Sequence, residues 1–204
     1  NCHRLSLEWA RIQPQENEFS QGEIRHYQEV VGYLKKLNIE PVVTLHHFTN
    51  PAWFARTIGW ENPKSVGIFL AYVKQAVEAL ADKVTYWVTI NEPMVYLYYS
   101  YIAGNWPPQK RSFSAANQVF DHLVRAHLKA YRMIHEIYRQ KGKSLPQVSL
   151  AQNMRVFEPC NNNLKNKIAV YIRDKLFNHR FIEIASRAKA LEVEVLRENM
   201  ARFL

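Results

Sequence analysis

Glycine is scarce in this chain, with six residues among 204. None of the six builds GxGxxG, GxxxxGKS or GxxxxGKT, which excludes the loops that cradle phosphate in dinucleotide and P-loop sites. Cysteine is scarcer still. Cys2 and Cys160 lie far apart and near no histidine at zinc spacing, so two unpaired thiols in a reducing compartment are expected, with no disulfide framework and no metal. No motif calls for a cofactor. Long apolar runs are also missing, because charge interrupts each one well before it could span a bilayer, so no membrane partner is expected. The opening Asn1-Cys2-His3-Arg4-Leu5 is not the basic-then-apolar start of a signal peptide. It lacks an initiator Met and reads as a strand entered midway, and a cytoplasmic location is the expectation.

What the chain does have is a core. Hydrophobic residues make up 48% and aromatic residues 13%, which calls for a packed interior rather than disorder. The net charge of +9 is uneven: residues 1–120 are nearly neutral and residues 121–204 hold most of the surplus. A basic segment raises the question of nucleic acid. Here the charges interleave with apolar residues at helical spacing, as in Arg173, Lys175 and Arg180 beside Ile172, Leu176 and Phe177. Solvated helix faces explain that pattern, and no nucleic-acid partner is expected.

The hydrophobic period switches repeatedly along the chain. Residues 3–9 alternate as a strand. Residues 22–37 place Ile24, Tyr27, Val30, Val31 and Leu34 at helical spacing, with Asn38 as a stop. A β-rich run covers 42–48, a loop 49–62, a helix 64–81, a strand 84–91, a long loop 92 to about 111, a helix 114–140, a strand 147–153 and a helical pattern 164–203. Strands alternating with helices imply parallel βαβ units with right-handed crossovers. A doubly wound sheet and a (β/α)₈ barrel share this grammar. Polar and aromatic residues gather where strands end, at Glu8-Trp9, His46-His47-Phe48, Asn91-Glu92-Pro93 and Asn153, and barrels carry their active sites there. The expected class is α/β, a partial (β/α)₈ TIM barrel of about four βα units, with residues 1–204 as one domain.

Glu92 is the residue best placed for chemistry. It stands at a strand end beside Asn91, whose amide can both donate and accept, and before Pro93, which is expected to hold Glu92 extended. An acid that protonates a departing oxygen needs a raised pKa, which Tyr86, Trp87 and Tyr96 could supply by desolvation. The alternative is a carboxylate paired with an arginine. Adjacent His46 and His47 point to opposite sides of a strand and cannot share one metal; each is either a ligand-facing or a hydrogen-bonded structural histidine. Trp53, Trp60 and Trp106 stand in loops, where a flat ring suits a sugar face but also suits a core. Arg4, Ser6 and Glu8 share one strand face, with an Arg4–Glu8 ion pair as the plain reading.

Thr89-Ile90-Asn91-Glu92-Pro93 matches TINEP, the acid/base motif of family-one glycoside hydrolases. The segment from Arg4 to Ile12 resembles that family's second strand, RFSIxWxRI, and Ile39 to Phe54 resembles its third strand and following loop. Gly59-Trp60-Glu61-Asn62-Pro63 and Gly104-Asn105-Trp106-Pro107-Pro108 are similar to further family segments, so the resemblance covers residues 1 to about 183 in order. It implies a retaining β-glycosidase, β-glucosidase-like, acting on β-linked glycosides. Glu92 would be the general acid/base, Asn91 and His47 would bind sugar hydroxyls, Trp106 would contact substrate, and Arg4 would lie beside the nucleophile. Where the family usually has Trp, Phe48 stands.

The family's nucleophile lies in a TENG motif on its seventh strand, and these residues contain no such motif. Its first strand and everything after the fifth helix are also unmatched, and Ala188 to Leu204 departs from the usual Gly-x-Tyr-Pro turn. The 204 residues alone are therefore expected to be a poor catalyst. They would need the rest of the barrel, from a continuation, another chain or a second copy. The competing expectations are a sugar-binding or assembly fragment without turnover and, more weakly, a basic nucleic-acid-binding fragment.

Overall fold

In the computed structural model, residues 1–187 are described. They fall into two compact units that divide between Ala151 and Gln152. The first unit holds four strands, β1 (Cys2–Ser6), β2 (Glu40–His46), β3 (Tyr86–Asn91) and β4 (Gln147–Ala151). They form one parallel sheet in the order β1-β2-β3-β4. Between them run α1 (Trp9–Ile12), α2 (Gln21–Lys36), α3 (Ala52–Thr57), α4 (Lys64–Leu80), α5 (Pro93–Leu97) and α6 (Phe113–Gln140).

The helices start and stop where local chemistry directs. Ser20 accepts a hydrogen bond from the Glu23 amide and Ser112 one from the Ala115 amide, which caps α2 and α6. Asn38 takes a left-handed backbone, φ 57°, and ends the first long helix as its polar side chain permits.

Register explains the two faces of the sheet. Leu5, Val43, Trp87 and Val148 lie in one row across the strands, and Val43 and Trp87 are fully buried. That face is covered by helices: Tyr72 of α4 donates to the Leu45 carbonyl, and the Trp87 indole donates to Tyr138 of α6, which in turn donates to the Val84 carbonyl. The neighbouring row, Arg4, Val42, Tyr86 and Gln147, is mostly exposed. Among the described residues the outer edges of β1 and β4 have no strand partner.

An aromatic cluster forms the centre of the core. Phe69 of α4 packs 5.6 Å from both Trp9 and Trp60, and Trp9 stacks on Tyr72 at 5.3 Å.

Two expected loops are partly helical. Residues 52–57 form α3, and the segment after Glu92 forms α5 and a π-helical turn, Tyr98–Ile102. Pro93 sits at the first helical position, where its missing N–H costs nothing, and this start signal was available in the sequence. The strand expected over 3–9 ends at Ser6, because Glu8 turns to cap α1 and accepts from the Ala10 amide.

The second unit carries α7 (Leu164–Asp174), capped by Asn163, and continues helically through a π-helical turn, Lys175–His179, to residue 187. Asn178 pins it internally by donating to the Arg155 carbonyl and to Asp174. The helical pattern expected over residues 188–203 lies outside the described residues.

Phe69→Ala is expected to destabilise the first unit by about 3–5 kcal/mol, the usual range for emptying a buried aromatic site. Tyr33→Ala, at an exposed position, should cost within about 0.5 kcal/mol. Urea unfolding of the two variants checks the contrast.

Candidate active site

At the C-terminal ends of β1, β2 and β3, three strands contribute polar side chains to one region. Arg4 leaves β1 and crosses the sheet. Its Nε–H donates to Thr44 Oγ1 at 2.9 Å and its Nη2–H donates to Asn91 Oδ1 at 2.6 Å. Thr44 and Asn91 are both buried, so the guanidinium is held by groups that water does not reach. This answers the Arg4–Glu8 expectation. Glu8 accepts instead from Thr49 and from the Ala10 amide, and Arg4 ties β1 to β2 and β3.

Asn91 is brought round by an irregularity in the β3–β4 pairing between Val88 and Asn91. Such bulges re-aim side chains at strand ends. Glu92 follows, half-buried, with its N–H donating to the Ala151 carbonyl at 2.7 Å. Its backbone is left-handed, φ 45° and ψ 59°, not extended as expected. Proline disfavours the right-handed helical region for the residue before it, and the left-handed basin is the other escape when a strand must turn at once into a helix. The Glu92 side chain makes no cap bond to the helix it precedes.

The two histidines separate as their positions on the strand require. His46 is buried against Trp60, Phe69 and Tyr96, edge to face at 5.5–6.2 Å. The Trp60 indole donates to Asn50 Oδ1 at 2.9 Å, and His46 Nε2 lies 3.1 Å from the same oxygen. That oxygen can only accept, so His46 carries its proton on Nε2. Asn50 completes the network by donating to the Tyr96 hydroxyl at 3.2 Å. His47 is exposed, with Nδ1 at 2.8 Å from Ser6 Oγ. Desolvation lowers the pKa of His47, the Arg4 charge lowers it further, and the Glu92 carboxylate pulls the other way.

The tryptophans divide. Trp60 is core, and Trp53 donates to the Gln13 carbonyl. Trp106 is half-buried, stacked on Tyr99 at 4.8 Å and set 5.0 Å from Phe48, which itself packs on His47 at 4.9 Å. Its loop turns at Gly104, φ 69°, where a Cβ would meet the Arg111 side chain at 3.0 Å. A Lys110–Glu61 ion pair at 2.7 Å fastens the same loop.

Two of the three aromatic residues expected to desolvate Glu92 do not gather around it. Tyr86 and Trp87 lie at the opposite end of β3, about 15 Å or more away at ~3.3 Å per residue, and the Trp87 indole is engaged by α6. Thr44, Asn50 and Tyr99 were not singled out by sequence reasoning. The alternation within Val42 to His46 places Thr44 on the same face as Arg4's strand partner, a signal that was readable; Asn50 gave none. Among the described residues no cluster of three His, Cys, Asp or Glu could hold a metal, and no helix is long and apolar enough to cross a membrane.

A parallel sheet with helices on one face and a cation, an amide and a carboxylate at its C-terminal strand ends is a segment of a (β/α)₈ barrel wall. Residues 1–191 match Glycosyl hydrolase family 1, and the chain belongs to that family. It is 28% identical over 184 residues to a 6-phospho-beta-galactosidase of Clostridium acetobutylicum, covering 89% of this chain and 38% of that protein. It is 32% identical over 181 residues to Beta-glucosidase 47 of Arabidopsis thaliana, covering 83% and 34%. Among solved structures, a beta-glycosidase from Pyrococcus horikoshii superposes with a TM-score of 0.82 at 34% identity, covering 90% of this chain and 41% of that one. The chain thus spans about two fifths or less of the length of these relatives.

Burial depresses the pKa of His46 from 6.5 to about 4. The unfolded chain therefore takes up a proton that the fold refuses between those values, and stability should fall by roughly 3 kcal/mol as pH drops from 6.5 to 4. Urea unfolding across that range checks this, and the component should be missing in His46→Gln.

Proposed function

We propose that this chain supplies the acid/base side of a retaining β-glycosidase site, β-glucosidase-like, with Glu92 as the general acid and then the general base. The observation that carries the reading is the Arg4–Asn91 bond immediately beside Glu92, with His47 close enough to feel both charges, at the strand ends of a family 1 chain. In the first step Glu92 gives its proton to the glycosidic oxygen as the bond to the sugar breaks. In the second it takes a proton from the water that attacks the glycosyl–enzyme bond. Asn91 and His47 hold hydroxyls of the sugar that reacts, and Trp106 borders the same mouth. Relatives support the substrate class by name: beta-glucosidases, a 6-phospho-beta-galactosidase and a lactase/phlorizin hydrolase.

Retention needs a second carboxylate about 5–5.5 Å from the first. The TENG segment that carries it in this family is not in these 204 residues. We assign the nucleophile to strands that complete the barrel against the open edges of β1 and β4, with Arg4 beside it. Acting alone, the 204 residues would bind sugar without cleaving it, which is the second reading. A cytoplasmic setting fits the two free, exposed cysteines.

Two outcomes test the assignment. In the complete barrel, Glu92→Gln should lower turnover of glycosides with poor leaving groups by about 10²–10⁴-fold, and the first step on 2,4-dinitrophenyl glycosides far less. Equal losses on both would remove Glu92 from the acid role. The 204-residue chain by itself should show no measurable hydrolysis of an aryl β-glycoside. Turnover there would mean that the second carboxylate is already among these residues.

A further inference from the structure

Ser6 and His47 come together because β1 and β2 run parallel with Ser6 opposite Thr44. Three residues beyond Thr44 the chain leaves the sheet, and Phe48 turns it with φ 67°. His47 is left at the rim with its Nδ1 side against β1, 2.8 Å from the Ser6 hydroxyl. Among the described residues this is the hydrogen bond the ring makes, so Nε2 is the ring nitrogen that remains for a ligand.

A ring whose pKa lies below 6.5 is neutral at pH 7 and holds one N–H and one lone pair. The groups whose charges act on it are Arg4 and Glu92, with neutral His46 next in sequence. Two arrangements satisfy the contact: the serine donates to Nδ1, or Nδ1–H donates to the serine. The first uses the Ser6 hydroxyl, which has no other acceptor among the described residues, as the donor to Nδ1, and leaves the ring's one N–H on Nε2, facing the ligand side. It also agrees with the intrinsic preference of a neutral imidazole side chain for the Nε2–H form.

We propose that Ser6 is a positioning residue for His47, fixing the ring as the Nε2–H tautomer so that it presents a hydrogen-bond donor to a sugar hydroxyl oxygen. The sugar rests on the functional reading above; the tautomer does not. A ring fixed the other way would offer a lone pair and select the hydroxyl's proton instead, so Ser6 sets the polarity of this contact without touching the ligand.

The experiment is a two-bond ¹H–¹⁵N correlation spectrum of the full, ¹⁵N-labelled chain at pH 7.5, with His47 assigned from its loss in His47→Gln. The wild type should show Nε2–H in large excess. Ser6→Ala should lower the ratio of Nε2–H to Nδ1–H by about five-fold, the worth of one hydrogen bond of ~1 kcal/mol. Ser6→Thr keeps the hydroxyl and should hold the wild-type ratio, while Ser6→Val, of the same shape, should behave as Ser6→Ala. A wild type with Nδ1–H dominant, or a ratio unmoved in both Ser6→Ala and Ser6→Val, overturns the proposal. Addition of methyl β-D-glucoside separates the two layers. A shift of His47 Nε2 supports the full statement. An unmoved Nε2 beside the expected tautomer pattern removes the sugar-donor role and with it the glycosidase reading of His47.

Discussion

The Arg4 guanidinium is the group on which the arrangement of the mouth depends. It is a permanent charge at the rim of an open sheet, and each bond it makes joins β1 to another strand. Thr44 takes the Nε–H and Asn91 takes an Nη–H, both from buried positions, so loss of the arginine would strand two polar groups without a partner. Leaving a buried acceptor unsatisfied costs about 1–3 kcal/mol each. The arginine is therefore structural and electrostatic at once. It locks the amide next to Glu92, and its charge helps to keep His47 neutral.

The second constraint is the aromatic core beneath β2. His46 is buried there and stays neutral because charging it would mean burying a cation among Trp60, Phe69 and Tyr96. Its bond to Asn50, shared with Trp60 and passed on to Tyr96, connects the end of β2 to the first turn of α5. Glu92 precedes that turn. The segment bearing His47 and the segment bearing Glu92 are thus joined through Asn50, from below, by a network with little access to water.

The alternation of helix and strand, the four parallel strands and the ends of the long helices could be read from period and punctuation. The TINEP, RFSIxWxRI and third-strand resemblances all pointed to the family that the chain matches from residue 1 to 191. Local rules failed where tertiary demands compete with them. Pro93 was taken to keep Glu92 extended, yet the chain had to reverse within one residue, and a left-handed backbone does that. Trp60 stood in a loop-like stretch and is core, because α3 and α4 fold back over the end of β2. Tyr86 and Trp87 were near Glu92 in sequence, but a strand carries residues apart at ~3.3 Å each, so they share neither its environment nor its end of the sheet.

A retaining glycosidase asks opposite things of two carboxyl groups, one protonated when the bond breaks and the other ionised. On the proposed reading, Arg4 and Glu92 mark those two places. Arg4 is held by Thr44 and Asn91 with further N–H groups left over in its five-donor fork, and these favour a carboxylate in its charged form. Glu92 stands at the turn into α5 on a left-handed backbone, anchored through its N–H to β4. In the proposed glycosidase the cation reaches from β1 across β2 to Asn91, and the acid stands one residue further on. There, on the proposed reading, the cation would serve the nucleophile contributed by the completing strands and Glu92 would be the proton donor.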